Sequence, residues 1–350
     1  MKKCYTYDDI NIIPKYSEIE HRDKINISTR FTKKTLLDIP IISSPMDTIT
    51  GLDMAREMMN WGGVGVIHRF MSIEEQAELM NKLCYMPGSE HVILKNDLPR
   101  CAAIGVKDDY LERSQELFNN GCNVLLIDVA HGHHKLVGEA IEKIKTRLEN
   151  IEVIAGSVAT GEATKYLCEK GADAIRVGIG NGSLCETRIR TGVGIPQVFA
   201  IIDCVSIADD YNVPIIADGG VRNIGDVCKG LACGADTIML GSLLSGTKET
   251  PGTIEKIGKW PNEQLHKKYR GSASLDSKKS RGHNKNVEGN HKVIPYKGKV
   301  KRIINDIQDG IRSSFSYVGA NTIDEFHSKV ELMEVTMAGN LEGKPHLLTT

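Results

Sequence analysis

Eight short apolar runs recur along this chain, most of them followed by a stretch whose apolar residues fall at helical spacing, and that alternation narrows the fold more than any other feature. The runs lie at 39–47, 64–69, 101–106, 124–130, 152–159, 174–180, 213–220 and 237–245, after an N-terminal arm. Amphipathic segments at 73–84, 109–120, 135–149, 162–170 and 223–233 come between them, and a last helix is expected over 300–313. Neighbouring parallel strands need crossover connections, which helices supply. Eight such units predict a closed (β/α)8 barrel, the TIM-barrel fold, with an open doubly wound sheet as the alternative.

One polar excursion, about 247–299, interrupts the pattern before the last helix. A loop of that length inside a compact domain is usually a lid or binding flap. It holds Tyr269-Arg-Gly-Ser-Ala-Ser274 and a basic run, Lys278-Lys-Ser-Arg-Gly-His-Asn-Lys285, most of whose charges read as a solvated surface. The whole of 1–350 is expected to form a single barrel domain carrying this flap. A net charge of -1 argues against binding nucleic acid by bulk electrostatics. The nine cysteines form no Cys-x-x-Cys pair, which fits a reducing cytoplasm better than a disulfide framework or a zinc ribbon. No stretch reads as a signal peptide or a membrane span.

Barrel enzymes place their chemistry on the loops after the C-terminal ends of the strands. The unusual residues fall there: Ser43-Ser-Pro-Met-Asp47, His68-Arg69, Asp128-Val-Ala-His-Gly-His133, Asp218-Gly-Gly220 and Gly241-Ser242. After the sixth run comes a loop with Gly178, Gly180 and Gly182, then Cys185, Thr187 and Arg188. A thiolate becomes a useful nucleophile where positive charge or aligned amides stabilise it, and a glycine-rich loop offers both. The plain alternative is a buried structural cysteine. Gly219, Gly220, Gly241, Ser242 and Ser183 together suggest a phosphate cradle of amides and hydroxyls. Asp218 is placed to accept from sugar hydroxyls, or merely to steady a turn. Thr187 and Glu288 would manage protons. No Gly-x-Gly-x-x-Gly follows the first strand, so a dinucleotide would bind in a way particular to the barrel.

The combination Gly-x-Gly-Ser-x-Cys-x-Thr-Arg-x-x-x-Gly-Val-Gly-x-Pro-Gln, with Asp-Gly-Gly and the Tyr-x-Gly entry to the flap, resembles the IMP dehydrogenase/GMP reductase family from Tyr7 to Ala320. The resemblance implies a homotetramer that binds a purine nucleoside monophosphate, with a nicotinamide cofactor stacked beside the base. It implies a thioimidate between Cys185 and purine C2. On the family's pattern Ser183, Gly219, Gly220, Gly241, Ser242 and Tyr269 hold the phosphate and Asp218 the ribose. Ser44 and Met46 lie near the base, Ser272, Ala273 and Glu288 read its edge, and Arg188, Gly271 and Gly289 complete the substrate site. Arg69, Asp128, Val129, Ala130, Gly180 and Asn181 belong to the cofactor side. The carbonyls of Gly180, Gly182 and Cys185 resemble a monovalent-cation loop, with K+ as the expected ion. Three residues depart from the pattern: Asn181 for proline, Ser157 for asparagine, and Glu186 where threonine or isoleucine is common.

The two activities share the thioimidate and differ in its fate. Dehydrogenases hydrolyse it with an Arg-Tyr pair on the flap, whereas reductases expel ammonia and accept a hydride. Here Arg281 is followed by Gly282, and no Arg-Tyr occurs between Ser272 and Glu288. The segments 271–274 and 283–289 resemble a bacterial reductase branch. No insertion after the second strand could hold the paired regulatory CBS domains of most dehydrogenases. On the other side, Gly62-Gly-Val-Gly-Val-Ile-His68 and Val335-Thr-Met-Ala-Gly339 look more dehydrogenase-like. The expectation is an NADPH-dependent GMP reductase. The alternatives are a CBS-free, NAD-dependent IMP dehydrogenase and a regulatory nucleotide-binding barrel without turnover.

Overall fold

In the computed structural model, residues 1–85, 98–258, 262–274 and 288–344 are described. The eight runs become one closed parallel barrel. Its strands are β1 (Ile41–Ser43), β2 (Val64–Ile67), β3 (Cys101–Ile104), β4 (Val124–Asp128), β5 (Glu152–Val158), β6 (Ala174–Val177), β7 (Ile215–Asp218) and β8 (Thr237–Leu240). The ring closes where β8 lies beside β1, with Ile238 opposite Ile41 and Leu240 opposite Ser43. Each strand is shorter than its apolar run, because pairing stops where the chain must turn out of the barrel. β6 stops before Gly178 (φ 154) and β7 before Gly219 (φ 94) and Gly220 (φ 79). Those φ values are open to glycine and costly for other residues.

Alternation along the strands separates two cores. Ile42, Val66, Ala103, Leu126, Ile154, Ile216 and Met239 fill the barrel, none more than 1% exposed. Phe31 and Leu37 join this inner cluster from a short antiparallel pair, Thr29–Arg30 with Leu36–Leu37. That pair is fastened beneath the strands, where Thr29 Oγ1 donates to the carbonyl of Asp236 (2.8 Å) and the Lys33 amide to that of Asp173 (3.0 Å). Ile41, Leu125, Ile127, Val153 and Ile175 face outward into the larger core under the helices. Each such aliphatic side chain contributes about 1.5–3 kcal/mol by leaving water.

The longer helices are α1 (Leu52–Asn60), α2 (Ile73–Leu83), α3 (Tyr110–Asn119), α4 (Lys135–Arg147), α5 (Gly161–Glu169), α6 (Gln197–Ala208), α7 (Ile224–Ala232) and α8 (Val300–Val318). Helix α1 lies so close to β2 that a Cβ on Gly65 would stand 2.6 Å from Ala55 Cα. Helix α8 runs past its expected end at 313, because Phe315 and Val318 continue the buried stripe of Ile304, Ile307 and Ile311. Phe315 stacks on Phe326 with ring centroids 4.2 Å apart, and the helix stops at left-handed Gly319 (φ 72).

The excursion after β8 is not all loop. Glu255–Ile257, Gln264–Arg270 and His291–Pro295 form a three-stranded antiparallel sheet beside the barrel. Its inner anchor is Lys267, only 2% exposed, whose ammonium donates to the carbonyls of Thr247 (3.2 Å), Lys248 (3.4 Å) and Thr250. Among the described residues, no helix is long and apolar enough to cross a membrane.

Candidate active site

A cavity of about 660 Å³ opens at the C-terminal ends of the strands. Ser44 and Met46 come to it from the end of β1, Arg69 from β2, Asp128, Val129 and Ala130 from β4, and Gly180, Asn181, Gly182, Ser183, Cys185 and Thr187 from β6. Asp218 ends β7 with Gly219 and Gly220 after it, and Gly241 and Ser242 follow β8. The flap adds Tyr269, Gly271, Ser272, Ala273, Glu288 and Gly289. Of the catalytic, substrate and cofactor residues assigned on the family's pattern, Arg188 alone is absent from the wall. Its guanidinium turns back to the carbonyl of Ile195, and its stem packs over Gly180 and Gly194, where a Cβ would meet Arg188 Cγ at 2.7 and 2.6 Å. It braces the loop from behind. Arg281, Gly282 and the basic run 278–285 lie outside the described residues.

Half-buried Cys185 begins a hydrogen-bonded chain. Its Sγ donates to Thr187 Oγ1 at 3.2 Å, and that hydroxyl donates to Glu288 Oε2 at 2.8 Å. Backbone bonds stitch the cysteine loop to the flap and fix this geometry. The Glu186 amide donates to the Glu288 carbonyl (2.8 Å), Asn290 to Leu184 (3.1 Å) and Glu288 to Ala273 (3.2 Å). Within the loop, Cys185 donates to the carbonyl of Gly182 (3.0 Å), so one oxygen of the expected cation loop already has a proton to accept. The side-chain amide of Asn181 bonds to Gln197, which in turn donates to the carbonyls of Val177 (2.9 Å) and Asp218 (3.2 Å). The loop is thereby tied to the ends of β6 and β7.

The other thiols are different. Burial pushes Cys122, Cys204 and Cys233 up to about 12 and Cys168 and Cys228 to about 11, and raises buried Cys101 and half-buried Cys84. These are packing residues.

Elsewhere in the cavity wall, Ser183 Oγ and Tyr269 Oη lie 2.9 Å apart, with the Tyr269 hydroxyl close to Gly241. Burial pushes the Tyr269 hydroxyl up, keeping it protonated and able to donate. The Gly220 amide is engaged with the carbonyl of Asn181 (2.9 Å), so these hydroxyls are the cradle's more accessible donors.

Charge enters through Arg176, which is no strand-end residue; its signal in the sequence is an arginine inside an apolar strand. Its side chain is 6% exposed and reaches Asp128 Oδ1 at 2.9 Å and Asp218 Oδ2 at 3.9 Å. Arg69 Nε stands 3.5 Å from the other Asp128 oxygen. Burial works to raise the Asp128 carboxyl, but Arg176 and Arg69 outweigh it and hold the group below the usual range. Asp218 goes the other way: burial raises it, Arg176 only partly offsets that, and Asp128 adds to it. Ser44 Oγ, Arg69 Nε and Arg176 Nε are buried in this wall without a hydrogen-bond partner. A polar atom so placed is costly unless a ligand or water meets it.

A family model described as the IMP dehydrogenase / GMP reductase domain matches residues 4–346. The inosine-5'-monophosphate dehydrogenase of Cryptosporidium parvum is 38% identical over 388 residues, covering 98% of this chain and 95% of that protein. The protein of the same name from Borreliella burgdorferi is 34% identical over 401 residues, covering 99% of this chain and 97% of its own. That from Nitrosopumilus maritimus is 31% identical over 472 residues, covering 99% and 98%. An alignment of 472 residues against a chain of 350 means that this last relative carries internal sequence absent here.

Proposed function

This chain belongs to the IMP dehydrogenase/GMP reductase family, and we propose that it is an oxidoreductase of purine nucleoside 5′-monophosphates working through a covalent bond from Cys185 to purine C2. The observation that carries this reading is the Cys185–Thr187–Glu288 chain in the wall of a cavity rich in phosphate-type donors. Ser183, Ser242 and Tyr269 hold the phosphate with the backbone of Gly219, Gly220 and Gly241, and Asp218 accepts from the ribose hydroxyls. Ser44, Met46, Gly271, Ser272, Ala273 and Gly289 enclose the base. Thr187 takes the thiol proton as sulfur adds to C2, and Glu288 accepts it through the hydroxyl. The same relay runs in reverse when sulfur leaves. A nicotinamide dinucleotide, when bound, supplies the other end of a hydride transfer at C2. Arg69, Asp128, Val129, Ala130, Gly180 and Asn181 fit its side of the cavity.

The names of the relatives support the oxidative direction, IMP with NAD and water to XMP, and we put that reading first, ahead of the reductase expected from the flap. The reductive direction, GMP with NADPH to IMP and ammonia, keeps one specific support: Arg281 is followed by Gly282, which has no hydroxyl to help activate water. A homotetramer, a K+ ion on the carbonyls of Gly180, Gly182 and Cys185, and a cytoplasmic setting go with either reading. Separate incubations with IMP plus NAD and with GMP plus NADPH, followed by chromatography of the purines, test both. XMP from the first, lost in Arg281→Ala, supports the dehydrogenase with Arg281 as water activator. IMP and ammonia from the second, with no XMP from the first, replaces it with the reductase. A protein that binds both nucleotides and converts neither refutes the catalytic reading.

A further inference from the structure

The flap strand Gln264–Arg270 ends at the cavity, and its last residue is held from three directions. Thr48 Oγ1 accepts from the Arg270 amide (3.1 Å) and donates to the Arg270 carbonyl (3.3 Å). The guanidinium of Arg270 places Nε and Nη2 on the same oxygen of Asp47, at 2.9 and 2.6 Å. Asp47 is 9% exposed at its side chain, and its second oxygen is buried without a hydrogen-bond partner. The carboxylate therefore depends on Arg270, since breaking a buried pair leaves an uncompensated charge.

What lies on either side of Arg270 gives this clamp its meaning. One residue earlier, Tyr269 brings its hydroxyl to Ser183. One residue later, Gly271 donates to the carbonyl of Asn290 (2.9 Å), and the Ala273 carbonyl accepts from Glu288 (3.2 Å). Arg270 is thus the fixed point between the phosphate end of the cavity and the carboxylate of the proton relay. We propose that Asp47 and Arg270 are a positioning pair, which sets Tyr269 against the phosphate and Glu288 against Thr187 without either member touching substrate. Neither residue lines the cavity. This rests on the reading of the site as one for a purine nucleoside monophosphate.

The test compares Arg270→Met, Arg270→Lys and Asp47→Asn with the wild type, all as full-length chains with unfolding midpoints recorded. Calorimetry measures binding of IMP or GMP and of the same nucleoside without its phosphate, and initial rates give kcat and KM in whichever direction turns over. Displacing a catalytic group by an ångström costs on the order of a hundredfold in rate, so Arg270→Met is expected to lose about that in kcat. It should also lose about tenfold of the preference for nucleotide over nucleoside, the value of one charge-assisted contact gone astray. Asp47→Asn should follow it. Arg270→Lys, which still brings a cation to Asp47, should recover most of both losses, a recovery that damage to the fold would not give. Arg270→Met with both quantities unchanged overturns the proposal, as does Arg270→Lys as impaired as Arg270→Met. Should the wild type bind nucleotide without turnover, the catalytic reading falls, while the binding preference still decides the role of the pair.

Discussion

Replacing Asp218 by asparagine separates a ligand-binding carboxylate from one that only steadies a turn. The turn after β7 is held without the Asp218 carboxylate: the Gly220 amide donates to the Asn181 carbonyl, and the Gln197 side-chain amide to the carbonyl of Asp218. The carboxylate itself faces the cavity, and its cationic neighbour, Arg176, stands at 3.9 Å, beyond hydrogen-bond reach. A hydrogen bond to a charged group is worth about 1.5–3 kcal/mol, so Asp218→Asn should weaken IMP or GMP binding by roughly 10- to 150-fold. Stability should hold or rise, because the variant removes a poorly compensated charge at little change in volume. The pH dependence follows from the raised carboxyl, which burial causes first and Asp128 reinforces. Between the ordinary aspartate range and that raised value the folded chain holds a proton that the unfolded chain has lost, so wild-type stability falls as pH rises through this window. Asp218→Asn should lack that fall. Conversely, wild-type nucleotide affinity should drop as pH falls below the raised value and Asp218 protonates, a step absent from the variant. Calorimetric titration and thermal unfolding across pH measure both. Unchanged affinity together with a lowered midpoint would refute the argument and leave Asp218 as a turn residue.

Cys185→Ala should abolish turnover and leave nucleotide affinity within about threefold, since the thiol makes the bond while the cradle does the holding; persistent turnover sinks covalent catalysis. Glu288→Gln should cost about 10²- to 10⁴-fold in kcat, with a much smaller change in binding. Equal losses in both would assign Glu288 to base recognition. Lys267→Met should destabilise the chain by about 1.5–3 kcal/mol and no more, because the Thr247 carbonyl keeps the Thr250 hydroxyl (2.8 Å) as donor. Burial depresses the Lys267 ammonium. As pH rises from that depressed value toward the ordinary lysine range, the wild type should therefore gain stability, and chemical denaturation of Lys267→Met should show no such gain.

The barrel was legible because its strands are buried on both faces, which writes them as continuous apolar runs. Helix α6 was not, since a segment as uniformly apolar as Gln197–Ala208 shows no stripe. The flap strand Gln264–Arg270 was hidden by Lys267, a charge at an inward position that only the three surrounding carbonyls make tolerable. Cavity residues were readable from their place at strand ends. Arg188 misled for a geometric reason: on the helix Thr187–Thr191 successive side chains point about 100° apart, so a Thr187 that faces the cavity turns its neighbour away. Arg176 was passed over because a strand that reads as apolar invites no search for charge. The Arg281-Gly282 pair reads as reductase-like, whereas the relatives carry the name of the dehydrogenase.

Six of the nine thiols are buried and burial raises half-buried Cys84, while Cys185 lines the cavity and Cys4 sits on the exposed N-terminal arm. The molecule therefore carries its own counter. With Cys4 changed to serine, brief treatment with an iodoacetamide dye should attach one label per folded chain, at Cys185. Saturating IMP or GMP should mask that label, because the base would lie over the sulfur. The fraction labelled then measures how many molecules in a preparation own a competent site, before any substrate has been turned over.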